Sequence, residues 1–278
     1  MTRNGPASTG AGAADSAAAN GPTLPSPTPG EGRLVLVPNT LDLGAAAQPL
    51  QAVLPQQAIE TAAQLGHWLV ENAKSARAFL KRVDEVVPLR QPLQALAIRE
   101  LPRPPKGRPP PATAEPADLL APALAGHDIG VLSEAGLPGV ADPGAGAVAA
   151  AHALGLAVVP LAGPSALTLA LAASGLDGQS FAFVGYLPQE ATARRELIRE
   201  LESVSRQRHQ TQVFIETPYR NQALLAALLE SASANSRLAI SIGLTLPEGW
   251  CRTTTIAQWR RQAPQLSDRL PAVFLLRA

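Results

Sequence analysis

The sequence predicts an α/β protein built of two α/β domains with a cleft between them. Three observations carry this. Short β-branched runs alternate with helical patterns along most of the chain, the arrangement of an α/β architecture. The stretch from Pro143 to Leu176 holds no Asp, Glu, Lys or Arg, yet Gly155, Pro160, Gly163 and Pro164 break it into helix, strand and helix. A membrane span would need an unbroken apolar run, whereas burial on both faces of a parallel sheet explains uncharged strands. Finally, 278 residues, 46% of them hydrophobic, suffice for one large or two small cores. The divisions expected are a low-complexity tail over residues 1–31, an N-terminal domain over 32–162 and a C-terminal domain over 163–278.

The tail is Ala, Gly, Pro, Ser and Thr with almost no large apolar residue. It lacks the apolar core of a signal peptide, and it is expected to be disordered, since it cannot bury enough surface to offset its ordering entropy. Ordered sequence is expected from Arg33. Leu34–Pro38 reads as a buried strand ended by proline, Ala58–Leu65 as a helix and His67–Val70 as a strand. Ser75–Val83 is a helix with Ala76, Phe79, Leu80 and Val83 on one side. Leu101–Pro116 is Pro-rich and basic and reads as an exposed loop. A helix over Leu119–Leu124 and a strand over Asp128–Leu132 follow. Next come the three pieces of the uncharged stretch: helix Ala145–Leu154, strand Leu156–Pro160 and helix Ser165–Ser174. The second half reads as strand Phe181–Val184, helix Arg194–Val204, strand Gln212–Ile215, helix Asn221–Leu229, strand Leu238–Ile242 and strand Ala272–Leu276.

Composition narrows the function. Charged residues are 16% and the formal net charge is +1, so no global field draws the chain to a polyanion or a membrane. Any such affinity needs a local patch. One cysteine, Cys251, excludes an internal disulfide framework and a Cys-rich zinc site. His67, His127, His152 and His209 show no metal spacing, and no metal is expected. No Ser/His/Asp order is evident. A cytoplasmic protein without membrane association fits these features.

Three loops follow strand ends. Val131–Leu132 runs into Ser133-Glu134-Ala135-Gly136-Leu137-Pro138-Gly139, then Asp142-Pro143-Gly144 and a helix. Ligands of open α/β sheets bind beyond the carboxyl ends of strands. Glycines admit a ligand to backbone N–H groups, and a helix N-terminus favours an anion. An ordinary Gly/Pro turn remains the alternative, because the spacing is neither the dinucleotide fingerprint nor a P-loop. The second loop is Pro160-Leu161-Ala162-Gly163-Pro164-Ser165-Ala166, with Ser165 placed as an N-cap. The third is Val37-Pro38-Asn39-Thr40-Leu41-Asp42-Leu43-Gly44. All three could line one cleft.

These loops carry a resemblance. The chain resembles the tetrapyrrole methylase superfamily of S-adenosylmethionine (SAM) dependent methyltransferases, and most nearly its branch of cytidine 2′-O-methyltransferases of small-subunit rRNA. The family's V-P-T-P-I-G-N-L-like turn is matched by Val37 to Gly44. Its S-D-A-G-T-P and D-P-G signature is matched by Ser133 to Pro138 and Asp142 to Gly144. Its P-L-P-G-P-x-A-A run is matched by Pro160 to Ala166, with a similar turn at Ala172-Ala173-Ser174-Gly175-Leu176. Gly185-Tyr186-Leu187-Pro188 with Arg194-Arg195 matches G-F-L-P and R-R, and Ile215-Glu216-Thr217-Pro218-Tyr219-Arg220 matches Y-E-S-x-H-R. The five motifs run in order from about Arg33 to the last residue. The chain departs from the pattern at Glu134 for Asp, Leu137 for Thr, Asn72 for Asp with the following Thr and His lost, and Gly243-Leu244-Thr245-Leu246 for an acidic E-L-T-K-like loop. These departures bear on the substrate more than on SAM.

The resemblance implies a cofactor cleft that holds SAM through Pro38, Asn39, Thr40, Ser133, Glu134, Ala135, Gly136, Pro138, Asp142, Pro143, Pro160, Gly163, Pro164, Ser165 and Ala166. The methyl group of SAM is already activated, so the protein must align an acceptor and, where that acceptor is a hydroxyl, take a proton. Glu71 and Glu134 are the general-base candidates, with Glu216 a third; the alternative for each is a hydrogen-bonding or capping carboxylate. Arg194 and Arg195 open a helix whose Arg195, Arg199, Glu202 and Arg206 recur at helical spacing. They read as phosphate contacts to RNA or as a solvated face. Three functions stay open: 2′-O-methylation of a cytidine ribose in small-subunit rRNA, methylation of a tetrapyrrole or other small molecule, and SAM binding without catalysis. The partners implied are the small ribosomal subunit or its rRNA and a second copy of the chain in a homodimer.

Overall fold

A computed structural model describes residues 30–43, 48–102 and 117–278. Nearly all of the tail, Gly44 and the basic residues Arg103, Lys106 and Arg108 lie outside the described residues.

Five parallel strands form the first sheet: β1 (Leu34–Leu36), β2 (His67–Val70), β3 (Ala97–Glu100), β4 (Ile129–Leu132) and β5 (Val158–Pro160), in the order β3-β2-β4-β1-β5. Their side chains alternate between two apolar layers, as the two-residue period of a strand requires. Val35, Trp68, Val70 and Val159 pack with helices α1 (Gln56–Gln64) and α2 (Ala73–Asp84). Leu34, Leu69, Ile129 and Val131 pack on the other side with α3 (Ala121–Leu124) and α4 (Ala145–Ala153). Helix α2 buries Ala76, Phe79, Leu80 and Val83, the four residues that its spacing puts on one side. Its cap is Asn72, whose side-chain oxygen accepts from the backbone N–H of Lys74 at 2.9 Å and of Ser75 at 3.3 Å. Asn caps as well as Asp does, so this departure from the family pattern leaves the helix start intact.

The second sheet is mixed. It contains β6 (Phe181–Tyr186), β7 (Thr211–Glu216), β8 (Arg237–Ile242), β9 (Trp250–Thr255) and β10 (Ala272–Arg277), in the order β6-β7-β10-β8-β9. Only β6 and β7 are parallel; β10 inserts antiparallel between β7 and β8. Helices α6 (Ala191–Arg208), α7 (Asn221–Ser231) and α8 (Ile256–Arg261) cover one face through Ile198, Leu201, Leu224, Leu228, Ile256 and Trp259. Helix α5 (Ala166–Ser174) covers the other, burying Ala170 and Leu171 against Val213, Ala239, Val273 and Leu275. The chain therefore leaves the first sheet at Pro160 and reaches the second within a few residues.

Several elements differ from the sequence reading. β3 is an edge strand whose Ala97, Arg99 and Glu100 are exposed, so no apolar pattern marks it. β9 carries Arg252 and three threonines on an edge and was equally unmarked. Helix α8 is only six residues long, and the Thr255/Gln258 capping box that starts it follows β9 directly. The helix expected at Leu119–Leu124 begins as a 3₁₀ turn over Ala117–Leu120. Helix α6 is longer than expected: Glu190 caps its start, and His209 ends it in the left-handed conformation.

Candidate functional site

Strand β1 sends the chain to α1 and α2 on one face of the first sheet, while its neighbour β4 sends it to α4 on the other. Connections that diverge from adjacent parallel strands leave a crevice at their carboxyl ends, where open α/β sheets bind ligands. The loops after β1, β4 and β5, three adjacent strands, meet there.

Their contacts are close. Asn39 bridges Gly136 in antiparallel fashion, its N–H donating to the Gly136 carbonyl at 2.8 Å. The Asn39 amide donates to the carbonyls of Ser133 at 3.0 Å and Glu134 at 3.1 Å. Gly136 adopts φ of 65° and turns its bare Cα toward Leu41 and the Pro164 carbonyl. A side chain there would be strained by that conformation, although its Cβ would make only ordinary contact with both. Gly163 lies directly on the Pro38 ring, and a Cβ at Gly163 would collide with it. The five residues from Gly139 to Pro143 close on themselves, with the Gly139 N–H donating to the Pro143 carbonyl at 3.1 Å and Ala141 at φ of 66°. This tight loop holds Asp142. Pro138 and Ser133 are buried, Ala135 and Pro164 half-buried, and Pro160 ends β5 exposed. Ser165 occupies the N-cap of α5 as expected, but its hydroxyl makes no capping bond; Ala166 is the first helical residue and packs toward the second sheet.

Negative charge gathers at this edge. Glu71, just past β2, accepts from the Glu134 N–H at 3.1 Å. Asp142 is buried enough that its carboxyl is pushed up to about 7, by desolvation first and then by the Glu71 and Glu134 carboxylates. The expectation of a base among Glu71 and Glu134 thus becomes a cluster of three carboxylates, and Asp142 is the one brought to neutrality. A group that titrates there suits proton transfer at physiological pH.

The second sheet contributes to the same edge. Tyr186, at the end of β6, is 56% exposed. Its phenol is pushed up by desolvation first and then by Asp142, Glu216 and Glu71. Glu216 ends β7, buried; its Oε1 accepts from the Thr217 N–H at 2.7 Å and its Oε2 pairs with Arg220 at 2.6 Å. Glu216 therefore reads as a structural carboxylate. The Glu216–Arg220 pair has a helical i,i+4 spacing that was open to view; the part played by Tyr186 was not, because it depends on where the second sheet sits. Arg194 and Arg195 lie on the first turn of α6. Arg194 donates to the carbonyls of Pro188 at 3.4 Å and Gln189 at 3.1 Å, and Arg195 pairs with Glu230 at 3.3 Å. Both already have protein partners.

Beside the crevice, on the α2 side, a cavity of about 250 Å³ is lined by Asn39, Leu43, Asn72, Lys74, Ser75, Ala78, Phe79, Arg82 and Glu134. Arg82 is tied within the protein, to Asp42 at 3.2 Å and to the Gln48 carbonyl at 3.0 Å. Sequence reading singled out neither Arg82 nor Asp42. Among the described residues, no group of three or more His, Cys, Asp or Glu side chains could hold a metal ion.

An open parallel sheet, with glycine loops and a carboxylate cluster at its switch point, defines a ligand-binding α/β protein that works at strand ends. The model for tetrapyrrole (corrin/porphyrin) methylases matches residues 71–258, and the chain belongs to that family. Similar curated proteins include the ribosomal RNA small subunit methyltransferase I of Vibrio cholerae, 38% identical over 122 residues that make up 44% of this chain and 41% of that protein. The Synechocystis protein of the same name is 34% identical over 152 residues, 53% of each chain. That of Mycobacterium tuberculosis is 40% identical over 120 residues, 43% of this chain and 41% of that one. The chain spans about half the length of the curated relatives it matches. Among solved structures, the methyltransferase CobJ superposes with a TM-score of 0.52 at 18% identity, covering 88% of this chain and 93% of that one, and so shares the fold.

Proposed function

We propose that the protein is a SAM-dependent methyltransferase of small-subunit rRNA that methylates the 2′-hydroxyl of a cytidine ribose. The observation that carries this reading is the 34–41% identity to proteins named ribosomal RNA small subunit methyltransferase I, from several organisms. The residues at the crevice fit SAM. Among the described residues the buried Ser133 hydroxyl has no partner, and three carboxylates suit a ligand with a sulfonium and an ammonium charge. Pro38, Asn39, Thr40, Ser133 to Gly136, Pro138, Asp142, Pro143, Pro160 and Gly163 to Ala166 would hold it. When bound, SAM supplies a methyl group already activated for transfer.

The chain's own residues then have two tasks. The loops fix the acceptor's approach, and a carboxylate takes the hydroxyl proton. Glu71 and Glu134 are proposed for that proton, with Asp142 sharing it. Arg195, half-exposed near the start of α6, is proposed to exchange Glu230 for an RNA phosphate, and Arg194 to brace that end of the helix. We place the division between domains at residues 162–163, between the two sheets. A homodimer is the proposed assembly, supported by the exposed Leu169, Ala172 and Ala173 on α5. Among the described residues no helix is long and apolar enough to cross a membrane, and a cytoplasmic site is proposed. Small ribosomal subunits incubated with protein and methyl-labelled SAM are expected to take up label in their RNA. Label that instead enters only a tetrapyrrole or another small acceptor would replace this reading with the second one.

A further inference from the structure

We propose that the cavity between the crevice and α2 is the subsite for the acceptor ribonucleotide, with Lys74 holding its phosphate. This rests on the reading of the protein as an RNA methyltransferase. A donor and an acceptor must come within about 3–3.5 Å of one another before transfer, so the acceptor subsite must share a wall with the cofactor loops. The cavity does. Asn39 and Glu134 belong to both, while Asn72, Lys74, Ser75, Ala78 and Phe79 extend it away from the loop after β5.

Its chemistry matches one nucleotide. Glu134 offers a carboxylate beside Glu71, whose position its own N–H fixes at 3.1 Å. Lys74 is exposed on the first turn of α2, and its ammonium has no hydrogen bond or ion pair among the described residues. Arg82 cannot serve in its place, since Asp42, Thr40 and Gln48 occupy its guanidinium. The N-terminal amides of α2 are not available to an anion either: the Asn72 oxygen accepts from Lys74 and Ser75, and Glu100 accepts from Ala73 at 2.8 Å. Lys74 is thus the one free cation on the described wall. Phe79, buried in the core beneath, closes the apolar side of the cavity. A volume of about 250 Å³ falls just below the roughly 300–1,000 Å³ of drug-sized ligand pockets. That suits a single nucleoside unit, whereas the many carboxylates of a tetrapyrrole would need more than one free cation.

Cytidine 5′-monophosphate, titrated into the full chain and followed by amide NMR, tests this directly. The nucleotide is expected to shift the amides of Asn72, Lys74 and Ser75, and to bind equally well when the chain is saturated with S-adenosylhomocysteine. Lys74→Gln should weaken its binding roughly fivefold or more, while Lys74→Arg retains it. The same Gln variant should flatten the salt dependence of short single-stranded RNA binding by about 0.7 in slope, the loss of one phosphate contact. Displacement of the nucleotide by S-adenosylhomocysteine would assign the cavity to the cofactor and overturn the proposal; that arm needs no variant. Unchanged affinity and salt slope in a well-folded Lys74→Gln chain would overturn it as well. Methylated small subunits together with an indifferent Lys74 refute only this subsite. Nucleotide binding alongside S-adenosylhomocysteine, without methylation of small subunits, supports the subsite and refutes the broader reading.

Discussion

Asp142 shows how much of a site depends on residues that are remote in sequence. Its place in a Gly-rich strand-end loop was legible, and the ligand-binding role expected of it is part of the proposal. Its titration near neutrality was not, because that arises from burial and from Glu71 and Glu134. The folded state raises this carboxyl from an ordinary 3.8 to about 7, so between those values the folded protein holds a proton that the unfolded chain releases. The associated stability is present below pH 4 and is lost as pH rises through about 7. Chemical denaturation at pH 5 and pH 8 should show wild type losing stability over that interval relative to Asp142→Asn, which cannot ionise. In the proposed reaction, methyl transfer should rise through pH 7 in wild type and run lower and flatter in the variant. Parallel pH dependences in the two proteins would remove Asp142 from the proton path. Gly163 offers a steric counterpart. Its Cβ would meet the Pro38 ring, so Gly163→Ala should cost about 1–3 kcal/mol in a denaturant titration and weaken S-adenosylhomocysteine binding by calorimetry. A variant with native stability and affinity would mean that the two loops can separate without consequence.

Elements with a clear apolar period were legible, and elements on edges were not. Strand β2 follows from a short apolar run and helix α2 from a buried stripe. Strands β3 and β9 carry polar residues because each has an open edge and shows one face to solvent. The direction of β10 was also beyond the sequence, since its apolar run suits either orientation. Helix α6 is fixed by a polar device that its amphipathic pattern conceals. Glu202 is buried and accepts from the Ser233 N–H at 2.7 Å, the Ser233 hydroxyl at 2.8 Å and the Ser236 hydroxyl at 2.5 Å, tying α6 to the turn after α7. Burial alone would raise this carboxyl; the bonds from Ser236 and Ser233, with Arg206 nearby, hold it below its ordinary value. Its contribution is therefore present above about pH 4.5 and lost as pH falls through the folded value. Glu202→Ala should cost about 1–3 kcal/mol near neutral pH by leaving buried donors unpaired, and the difference from wild type should narrow in acid. A constant difference down to pH 3 would show that packing, and not the carboxylate, holds the turn.

Over the whole molecule, the α/β class was legible, and a boundary was expected at the Gly-Pro break in a long uncharged stretch; the structure has two sheets, with α5 following β5 onto the second. Which way α5 would turn was not: it is apolar on all sides, and only the structure shows Ala170 and Leu171 taken by the second sheet. The exposed remainder of α5 is the surface expected to meet a second copy. Light scattering at micromolar concentration should give twice the chain mass, and Leu169→Glu should return it to a monomer; a monomeric wild type would end that proposal. The central claim, transfer to a ribose hydroxyl of small-subunit rRNA, is tested most directly by alkaline hydrolysis of the labelled RNA. A 2′-O-methyl group removes the hydroxyl that attacks the adjacent phosphodiester. Label from SAM should therefore be recovered in an alkali-resistant dinucleotide whose 5′ residue is cytidine. Label recovered in ordinary mononucleotides would place the methyl on a base and contradict the account.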